Sequence, residues 1–380
     1  MSEKLKVIAM LVVASAPLAV SCQSSGYDYH LFEPEVSGPR SSDQHPSRFF
    51  DNRTYIGLTQ YQEVDHDGYY KNAFVNILGT FQKIPRVYGH GMADSRAIDS
   101  SRGGHVVGYD SHVSAIGESS SKVWTWTSGV STILPSPSGF YGFPEGIADN
   151  GDVAGWMYKG ASYQAVAWLG GQFTELESGG LSSICRGVDA SGAMYGNVVR
   201  AGGSDTVPVV WRNGVRRELT GFDGYTNVNI QRVSRGGAVA GYLFDPAIGK
   251  PRMFVLVGGK LQVMAPERYK TYGLSVVDVN DNGMILARNM YDSGVNLGEA
   301  FVIYRDGVGQ FWQDSYTLNT TYVPWRPTAI NNRGEIIGIA HASGIEDSKL
   351  FIATPVPEPA SLAALALGLS WVTVRRRRQA

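Results

Sequence analysis

Apolar and polar positions follow a repeating order along the middle of the chain. Each copy has an apolar residue, a polar turn that usually contains glycine, and a short apolar strand. The last position of this pattern, here called the closing position, is Gly108, Gly155, Gly196, Gly241, Ala287 and Gly338, and a more divergent copy ends at Gly57. Closing positions lie 41 to 51 residues apart, an interval typical of repeats that assemble into propellers or arrays.

A second strand follows in each copy and begins with a large apolar residue. These residues are Phe74, Trp124, Val166, Val209, Phe254, Phe301 and Phe351. The residue two positions later lies on the same face of the strand. Two-residue hairpin signals come next, at Ser128-Gly129, Gly170-Gly171, Asn213-Gly214, Gly258-Gly259 and Asp306-Gly307, with Leu78-Gly79 as a weaker copy. A further strand follows each hairpin.

Four short strands in each copy match the size of one propeller blade. We therefore predict an all-β fold: a β-propeller of about seven four-stranded blades over residues 46–353, with six blades as the alternative. Irregular spacing argues against a β-solenoid. The last copy stops at Phe351-Ile352-Ala353 without an outer strand. Ring closure then needs a strand from the N-terminal side, which we expect around Arg48-Phe49-Phe50.

Composition agrees with a folded, turn-rich body. The 380 residues include 46 glycines and 20 tyrosines, and 18% are charged against 43% hydrophobic, which is typical of a chain with a core. The formal net charge is −1. Both ends are basic, so the body between them is acidic. Nucleic acid is therefore excluded as an expected partner, because phosphate binding needs a basic surface.

The N-terminus has the order of residues that is typical of a secretory leader. A short charged stretch after Met1 precedes an apolar run from Val7 to Val20, and small residues end the run. This order predicts a signal peptide at 1–21, cleaved between Ser21 and Cys22, and a linker at 22–45. A buried helix is the structural alternative, and lipid attachment at Cys22 stays open.

The C-terminal tail, residues 354–380, has three parts. Pro357, Glu358 and Pro359 come first, an apolar stretch runs from Leu362 to Val374, and the chain then reaches Arg375, Arg376, Arg377 and Arg378. The stretch is shorter than the roughly 20 residues of a full span, but arginine side chains can snorkel to the cytoplasmic side. We predict one hydrophobic helix that holds the tail in the membrane. A permanent anchor is the alternative to removal after sorting.

This tail resembles the PEP-CTERM sorting signal of Gram-negative bacteria, named for a triplet that is here Pro357-Glu358-Pro359. The resemblance implies an exosortase, an integral-membrane cysteine protease, as the processing partner. It implies export, transient anchoring in the inner membrane, and release to the cell surface or extracellular matrix. The family is often associated with exopolysaccharide production.

Two short motifs in the body carry a second resemblance. One is Ile-Asn-Asn-x-Gly-x-Ile-Ile-Gly from Ile330 to Gly338, and the other is Ala-Phe-Val at Ala73 and again at Ala300. The body thus resembles the HAF-type extracellular repeat family, although Asn72 and Glu299 replace the histidine of that family's triplet. The resemblance implies an extracytoplasmic location and no established chemistry.

One repeat turn has the spacing of a calcium loop. Asp278 to Gly283 matches the first half of an EF-hand, but the twelfth position is Asn289 instead of glutamate. The equivalent turns of other copies hold Ala148 and Asn331 at the same places. We therefore predict a tight turn, no metal and no cofactor. A calcium-stabilised module remains an alternative.

Other candidate groups have structural explanations as well. Cys185 is expected to be a small buried group. The carboxylate pairs Asp149 with Asp152 and Asp278 with Asp281 could serve a glycosidase or lyase, but all four lie in repeat turns, so we predict no catalytic residues.

Aromatic residues offer candidates for stacking on sugar rings. Four tryptophans lie on the repeated strand, where packing between blades is expected: Trp124, Trp126, Trp168 and Trp211. Tyr61, Tyr69 and Tyr70 are expected in loops and are better stacking candidates. The sequence thus predicts a non-enzymatic surface or matrix protein whose ligand is a polysaccharide or another surface protein. A carbohydrate-active enzyme on a propeller scaffold is the alternative.

Overall fold

The structure is a computed structural model of the chain. It describes residues 27–32, 41–62, 69–77, 80–87, 93–113, 119–179, 181–200, 202–203, 205–264, 271–292, 297–315, 322–342 and 348–356. These residues form 28 strands and one short 3-10 helix, Trp312–Asp314. The predicted leader with Ser21 and Cys22, the Pro357–Pro359 triplet and the Arg375–Arg378 cluster lie outside the described residues. Within the described part, no helix has the length and apolar character needed to cross a membrane.

The strands form seven antiparallel four-stranded sheets, which are the blades. Strand β1 (Tyr27–Phe32) is the first strand among the described residues and belongs to the last blade. Blade 1 has β2 (Ser41–Phe49), β3 (Tyr55–Gln62), β4 (Tyr69–Ile77) and β5 (Thr80–Lys83). Blade 2 has β6 (Ala93–Ser100), β7 (Val106–Val113), β8 (Ser119–Thr127) and β9 (Val130–Ile133). Blade 3 has β10 (Gly142–Ile147), β11 (Val153–Lys159), β12 (Ser162–Leu169) and β13 (Gln172–Glu175).

The remaining blades follow the same order. Blade 4 has β14 (Ser183–Val188), β15 (Met194–Val199), β16 (Thr206–Arg212) and β17 (Val215–Glu218). Blade 5 has β18 (Thr226–Val233), β19 (Val239–Asp245), β20 (Lys250–Val257) and β21 (Lys260–Val263). Blade 6 has β22 (Thr271–Val279), β23 (Ile285–Asp292), β24 (Leu297–Arg305) and β25 (Val308–Phe311). Blade 7 has β26 (Tyr322–Ile330), β27 (Ile336–Ala342), β28 (Ser348–Pro355) and, outermost, β1.

The seven blades close into a ring. The first strand of every blade contacts the first strands of both neighbouring blades, including β26 with β2. These seven inner strands therefore surround a central channel, and the fold is the seven-bladed β-propeller that the repeats predict. The alternative of six blades is wrong.

The hydrophobic core lies between successive blades. Each core cluster draws on two neighbouring sheets; Ile56 and Val75 of blade 1, for example, pack with Trp124 of blade 2. Trp168 and Trp211 are buried, and their indole N–H groups donate to backbone carbonyls at 2.7 Å. The tryptophans of the repeated strand thus serve packing, as expected, and are not exposed to a ligand.

The hairpin signals form the turns that they predict. Both residues of each two-residue turn have positive φ, for example 52° at Asn213 and 76° at Gly214. Two successive positive φ angles define a type I′ turn, whose twist matches that of the flanking strands. The Leu78-Gly79 copy lies outside the described residues.

The ring is closed by a different strand from the one expected. Strand β1 pairs antiparallel with β28, from Tyr27 opposite Pro355 to Phe32 opposite Leu350. The expected segment at Arg48–Phe50 instead ends the inner strand β2 and leads into its turn. Phe49 is buried there against blade 7. The boundary at residue 46 was also too late, since β1 and the start of β2 fall in the segment assigned to a linker. The compact unit is Gly26–Val356.

A bulge occurs at the same place in all seven inner strands. In each blade, the pairing register between the inner strand and the second strand shifts by one residue at this place. The closing position of the repeat lies beside this bulge. A Cβ atom at Gly108, Gly155, Gly196, Gly241 or Gly338 would lie 1.9 to 2.3 Å from a carbonyl oxygen of the inner strand. The close approach therefore explains why five of these closing positions hold glycine.

Candidate functional site

The bulges determine which side chains enter the central channel. The bulged residues are Ser47, Ile98, Glu145, Arg186, Gln231, Val277 and Thr328. Charged residues follow directly at Arg48, Asp99, Arg232 and Asp278. A bulge changes the direction of a side chain without ending the strand. The alternation of side chains between the two faces of a regular strand would not predict this charged lining of the channel.

One cavity, of about 390 Å³, lies at the end of the channel where the inner strands turn into the second strands. Arg48 is its central group: Nη1 lies 2.6 Å from Oδ1 of Asp278, and Nε lies 3.7 Å from Oδ1 of Asp99. The second oxygens of both carboxylates accept backbone N–H groups of the next blade, from Ile330 at 3.0 Å and Ile147 at 3.2 Å. This charged cluster therefore joins several blades at the channel.

Burial and charge shift the pKa values in this cluster. Burial raises the pKa of Asp99, and the nearby Arg48 guanidinium offsets only part of that effect. Burial lowers the pKa of Arg48, but the carboxylates of Asp278 and Asp99 raise it by more, so the guanidinium stays charged. A carboxyl with a raised pKa in a cavity is a feature that catalytic acids share with structural ion pairs.

The turn that resembled a calcium loop is held by its own side chains. Asn280 Oδ1 accepts the N–H groups of Asn282 at 3.1 Å and Met284 at 2.9 Å. Asn331 makes the equivalent bonds in blade 7. Asp281 accepts the N–H of Gly236 at 2.5 Å. The tight-turn prediction is confirmed, and within the described ranges no group of three His, Cys, Asp or Glu could hold a metal.

The candidate carboxylates Asp149 and Asp152 have separate protein partners. Asp149 accepts the backbone N–H of Arg102 and forms an ion pair with Arg235. Asp152 accepts the N–H of Gly170 at 2.8 Å. Each of these carboxylates therefore fixes turns of the propeller in place.

A second cavity, of about 350 Å³, lies where the channel meets blades 4 to 7. Four arginines line it, and none of the lining residues is acidic: Arg186, Arg232, Arg288 and Arg326. We call it the arginine cavity. Sequence reasoning missed these residues. The sequence holds one signal for the arginine cavity, which is position: Arg186 lies at a bulge and Arg232 directly after one, at the start of the repeated turn motif.

Six aromatic rings form a continuous cluster on blades 2 and 3, here called the aromatic cluster. They are Tyr109, Tyr141, Phe143, Trp156, Tyr158 and Tyr163. Ring centroids of contacting pairs lie 4.8 to 5.4 Å apart. Tyr158 is 44% exposed and Tyr163 is 38% exposed. The cluster therefore reaches solvent through tyrosines.

The aromatic candidates from the sequence lie elsewhere. Tyr61 is in β3, and Tyr69 and Tyr70 are in the paired strand β4, so these residues are not in loops as expected. The sequence analysis did not find the aromatic cluster, because its members alternate with core residues on adjacent strands of blades 2 and 3. Cys185 is buried as expected, and burial raises the pKa of its thiol to about 12.

Comparisons with known proteins identify the fold alone. No family model and no curated protein matches the sequence. An acylaminoacyl peptidase of Pyrococcus horikoshii is 10% identical, with a TM-score of 0.50 over 86% of this chain and 54% of that one. A puromycin-hydrolyzing peptidase of Mycobacterium tuberculosis is 13% identical, with a TM-score of 0.47 over 81% and 52%. TolB from Acinetobacter baumannii is 12% identical, with a TM-score of 0.40 over 70% and 68%. The chain spans about half the length of the two peptidases, and what it shares with these structures is the propeller fold.

Proposed function

We propose that this chain is an exported, non-enzymatic protein of the cell surface or extracellular matrix, and that its propeller binds a polysaccharide. The observation that carries the proposal is the aromatic cluster of blades 2 and 3, which reaches solvent through Tyr158 and Tyr163. The sorting motif at the C-terminus supports the location, and the occupied carboxylates of the channel support binding over catalysis.

The aromatic cluster suits a sugar ligand because its rings are held in place before binding. Tyr141 and Tyr158 stack with centroids 5.2 Å apart and an interplanar angle of 10°. Tyr163 packs at an angle against Tyr158 and edge-on against Trp156. Tyrosine and tryptophan offer an apolar face and a polar tip, which match the C–H face and the hydroxyl groups of a sugar ring.

The channel carboxylates favour a structural role because their oxygens are already occupied. Asp278 is only 3% exposed, and its two oxygens bind Arg48 and the N–H of Ile330. A glycosidase instead needs one carboxyl that can protonate a leaving group and a second that can attack or activate water. The same groups here hold blades together.

A direct experiment is a glycan array on Gly26–Val356 with two tyrosine variants. We expect binding to a polysaccharide class, and loss of that binding in Tyr158→Ala and Tyr163→Ala with an unchanged melting temperature. Val308→Ala, at a position 66% exposed on blade 6, is the control and should bind normally. An array without any signal, or tyrosine variants that bind like the parent, would contradict the proposal.

The export address has its own test in the native host. We expect that replacing Pro357 and Pro359 by alanine blocks exosortase processing, so the precursor stays in the inner membrane with its tail attached. Val356→Ala, one residue before the triplet, is the control. Normal release of the proline variant would show that the triplet is not the sorting signal.

A carbohydrate-active enzyme is the second candidate function, and one observation favours it. Asp99 and Asp278 line the same cavity and contact the same guanidinium, and the pKa of Asp99 is raised by burial. Incubation of the protein with the array-positive polysaccharide would settle the choice. New reducing ends or unsaturated products that disappear in Asp99→Asn would establish the enzyme.

A further inference from the structure

The arginine cavity holds more positive charge than its surroundings neutralise. Arg186 pairs with Glu145 at 3.4 Å, and Arg288 pairs with Glu299 at 3.2 Å. Among the described residues, neither Arg232 nor Arg326 has a carboxylate within ion-pair distance. Two of the four guanidinium groups therefore lack an ion-pair partner among the described residues, and the more distant carboxylates of Glu145 and Asp278 offset only part of the effect of burial on the pKa of Arg232.

The environment of Arg232 makes this imbalance significant. Its Nε donates to the carbonyl of Val277 at 2.9 Å and its Nη1 to the carbonyl of Gln231 at 3.0 Å. Burial is the main cause that lowers the pKa of Arg232. In addition, Nε of Arg186 is buried without a hydrogen-bond partner in the described structure. Partly buried cations without a counter-ion favour an oxyanion, which an arginine fork can bind through two hydrogen bonds.

The arginine cavity and the aromatic cluster meet at one atom. Oε1 of Glu145 accepts the indole N–H of Trp156 at 2.8 Å, and Nη1 of Arg186 lies 3.4 Å from the same oxygen. Trp156 belongs to the aromatic cluster and Arg186 lines the cavity. A chain-like ligand could therefore contact the rings and the guanidinium groups together.

The size and charge of the region limit the ligand further. The cavity volume of about 350 Å³ lies at the lower end of small-molecule sites, which measure roughly 300–1,000 Å³. Because the body as a whole is acidic, a polyanion is repelled by most of the surface and attracted only at a local cluster of arginines.

We propose that the arginine cavity binds the carboxylate of an acidic polysaccharide of the uronic-acid type, while neighbouring sugar rings of the same chain lie on the aromatic cluster. This inference rests on the proposed polysaccharide function and adds the charge of the ligand and the place of its carboxylate. Arg232 and Arg326 supply the donors that no protein carboxylate occupies.

Calorimetric titration of the full chain tests this inference. The probes are an oligogalacturonate, a neutral oligosaccharide of the same length with its carboxyl groups reduced, and inorganic phosphate. We expect the oligogalacturonate to bind at least about tenfold more tightly than the neutral chain, and its affinity to fall as salt is added.

Substitution of one arginine identifies the site. The side chain of Arg326 is partly buried, and among the described residues it has no hydrogen-bond or ion-pair partner. Arg326→Gln should therefore keep the melting temperature of the parent, while affinity for the oligogalacturonate falls about tenfold or more. Arg200→Gln, at an exposed arginine of blade 4, is the matched control and should bind like the parent.

The possible outcomes separate this inference from the proposed function. Equal binding of the neutral chain, unaffected by Arg326→Gln, would overturn the acidic ligand and leave the polysaccharide function in place. Phosphate binding as tight as oligogalacturonate binding would overturn the saccharide as the source of the anion. Absence of binding to both oligosaccharides would count against the inference and the proposed function together.

Discussion

Replacing Arg48 by methionine removes the guanidinium that contacts both Asp278 and Asp99 in the channel. The side chains of Arg48, Asp278 and Asp99 are 14%, 3% and 15% exposed, so little water can replace the lost partner. Removal of one member of a buried ion pair costs about 3–5 kcal/mol because the remaining charge is left buried. We expect Arg48→Met to lower the free energy of unfolding by an amount in this range at pH 7.

The cost should depend on pH in a defined direction. Burial already raises the pKa of Asp99, and Arg48 opposes that effect. Without Arg48 the pKa of Asp99 rises further above its usual value, near 4. A raised pKa in the folded state means that stability is lost as pH rises through that value and is regained at lower pH. The difference between variant and parent should therefore shrink from pH 7 toward pH 4.

Urea unfolding of Gly26–Val356, followed by tryptophan fluorescence between pH 4 and pH 7.5, measures this cost. The midpoint should fall in Arg48→Met while the slope stays constant. Arg200→Met is the control, because Arg200 and Glu218 are 60% and 58% exposed and lie 4.0 Å apart, and exposed pairs contribute about 0–1 kcal/mol. A cost below about 1 kcal/mol for Arg48→Met, or a cost that does not change with pH, would refute the reasoning.

Three further predictions concern the ring itself. Gly241→Ala places a Cβ 1.9 Å from the carbonyl oxygen of Asn229 and should lower the free energy of unfolding in urea by about 1–3 kcal/mol or more. Gly203→Ala is the control and should be near neutral, because the nearest atom to its Cβ is 3.7 Å away. Equal effects of the two substitutions would contradict the close-approach explanation. Deletion of residues 1–32 should lower the melting temperature and cause aggregation by exposing the edge of β28, while deletion of residues 1–25 should do neither. Burial raises the pKa of Glu335, but hydrogen bonds from Arg53 and Asn331 and nearby positive charge lower it by more. The parent should therefore be more stable than Glu335→Gln at neutral pH and should lose this advantage as the pH falls below the usual glutamate pKa near 4. A stability difference that is independent of pH in thermal melts would be inconsistent with this linkage.

The architecture could be predicted because it depends on local patterns that recur. Hairpin signals such as Asn213-Gly214 determine their own turns through backbone conformation. The buried strand residues, such as Trp168, mark the face that packs between blades. Seven copies of the same pattern then give the blade number.

The functional groups were harder to predict because they depend on irregularity and on distance in space. Arg186 and Arg232 face the channel because of a bulge, and alternation along a strand contains no signal for a bulge. The contact between Trp156 and Arg186 passes through Glu145 and joins two blades, so it depends on the closed ring. The closing strand was misplaced for a similar reason: Tyr27 packs on Trp312, far along the chain.

The pairing of β1 with β28 sets an order on folding. Blades 1 to 6 consist of consecutive strands, so each can form through local hairpins as soon as its own residues are available. The seventh blade pairs the first strand of the body with the last one, and closing such a long loop has a larger entropic cost than forming a local hairpin. The ring therefore stays open until β28 has been synthesised. Chains that stop early keep two unpaired strand edges, which makes interrupted products good substrates for proteases.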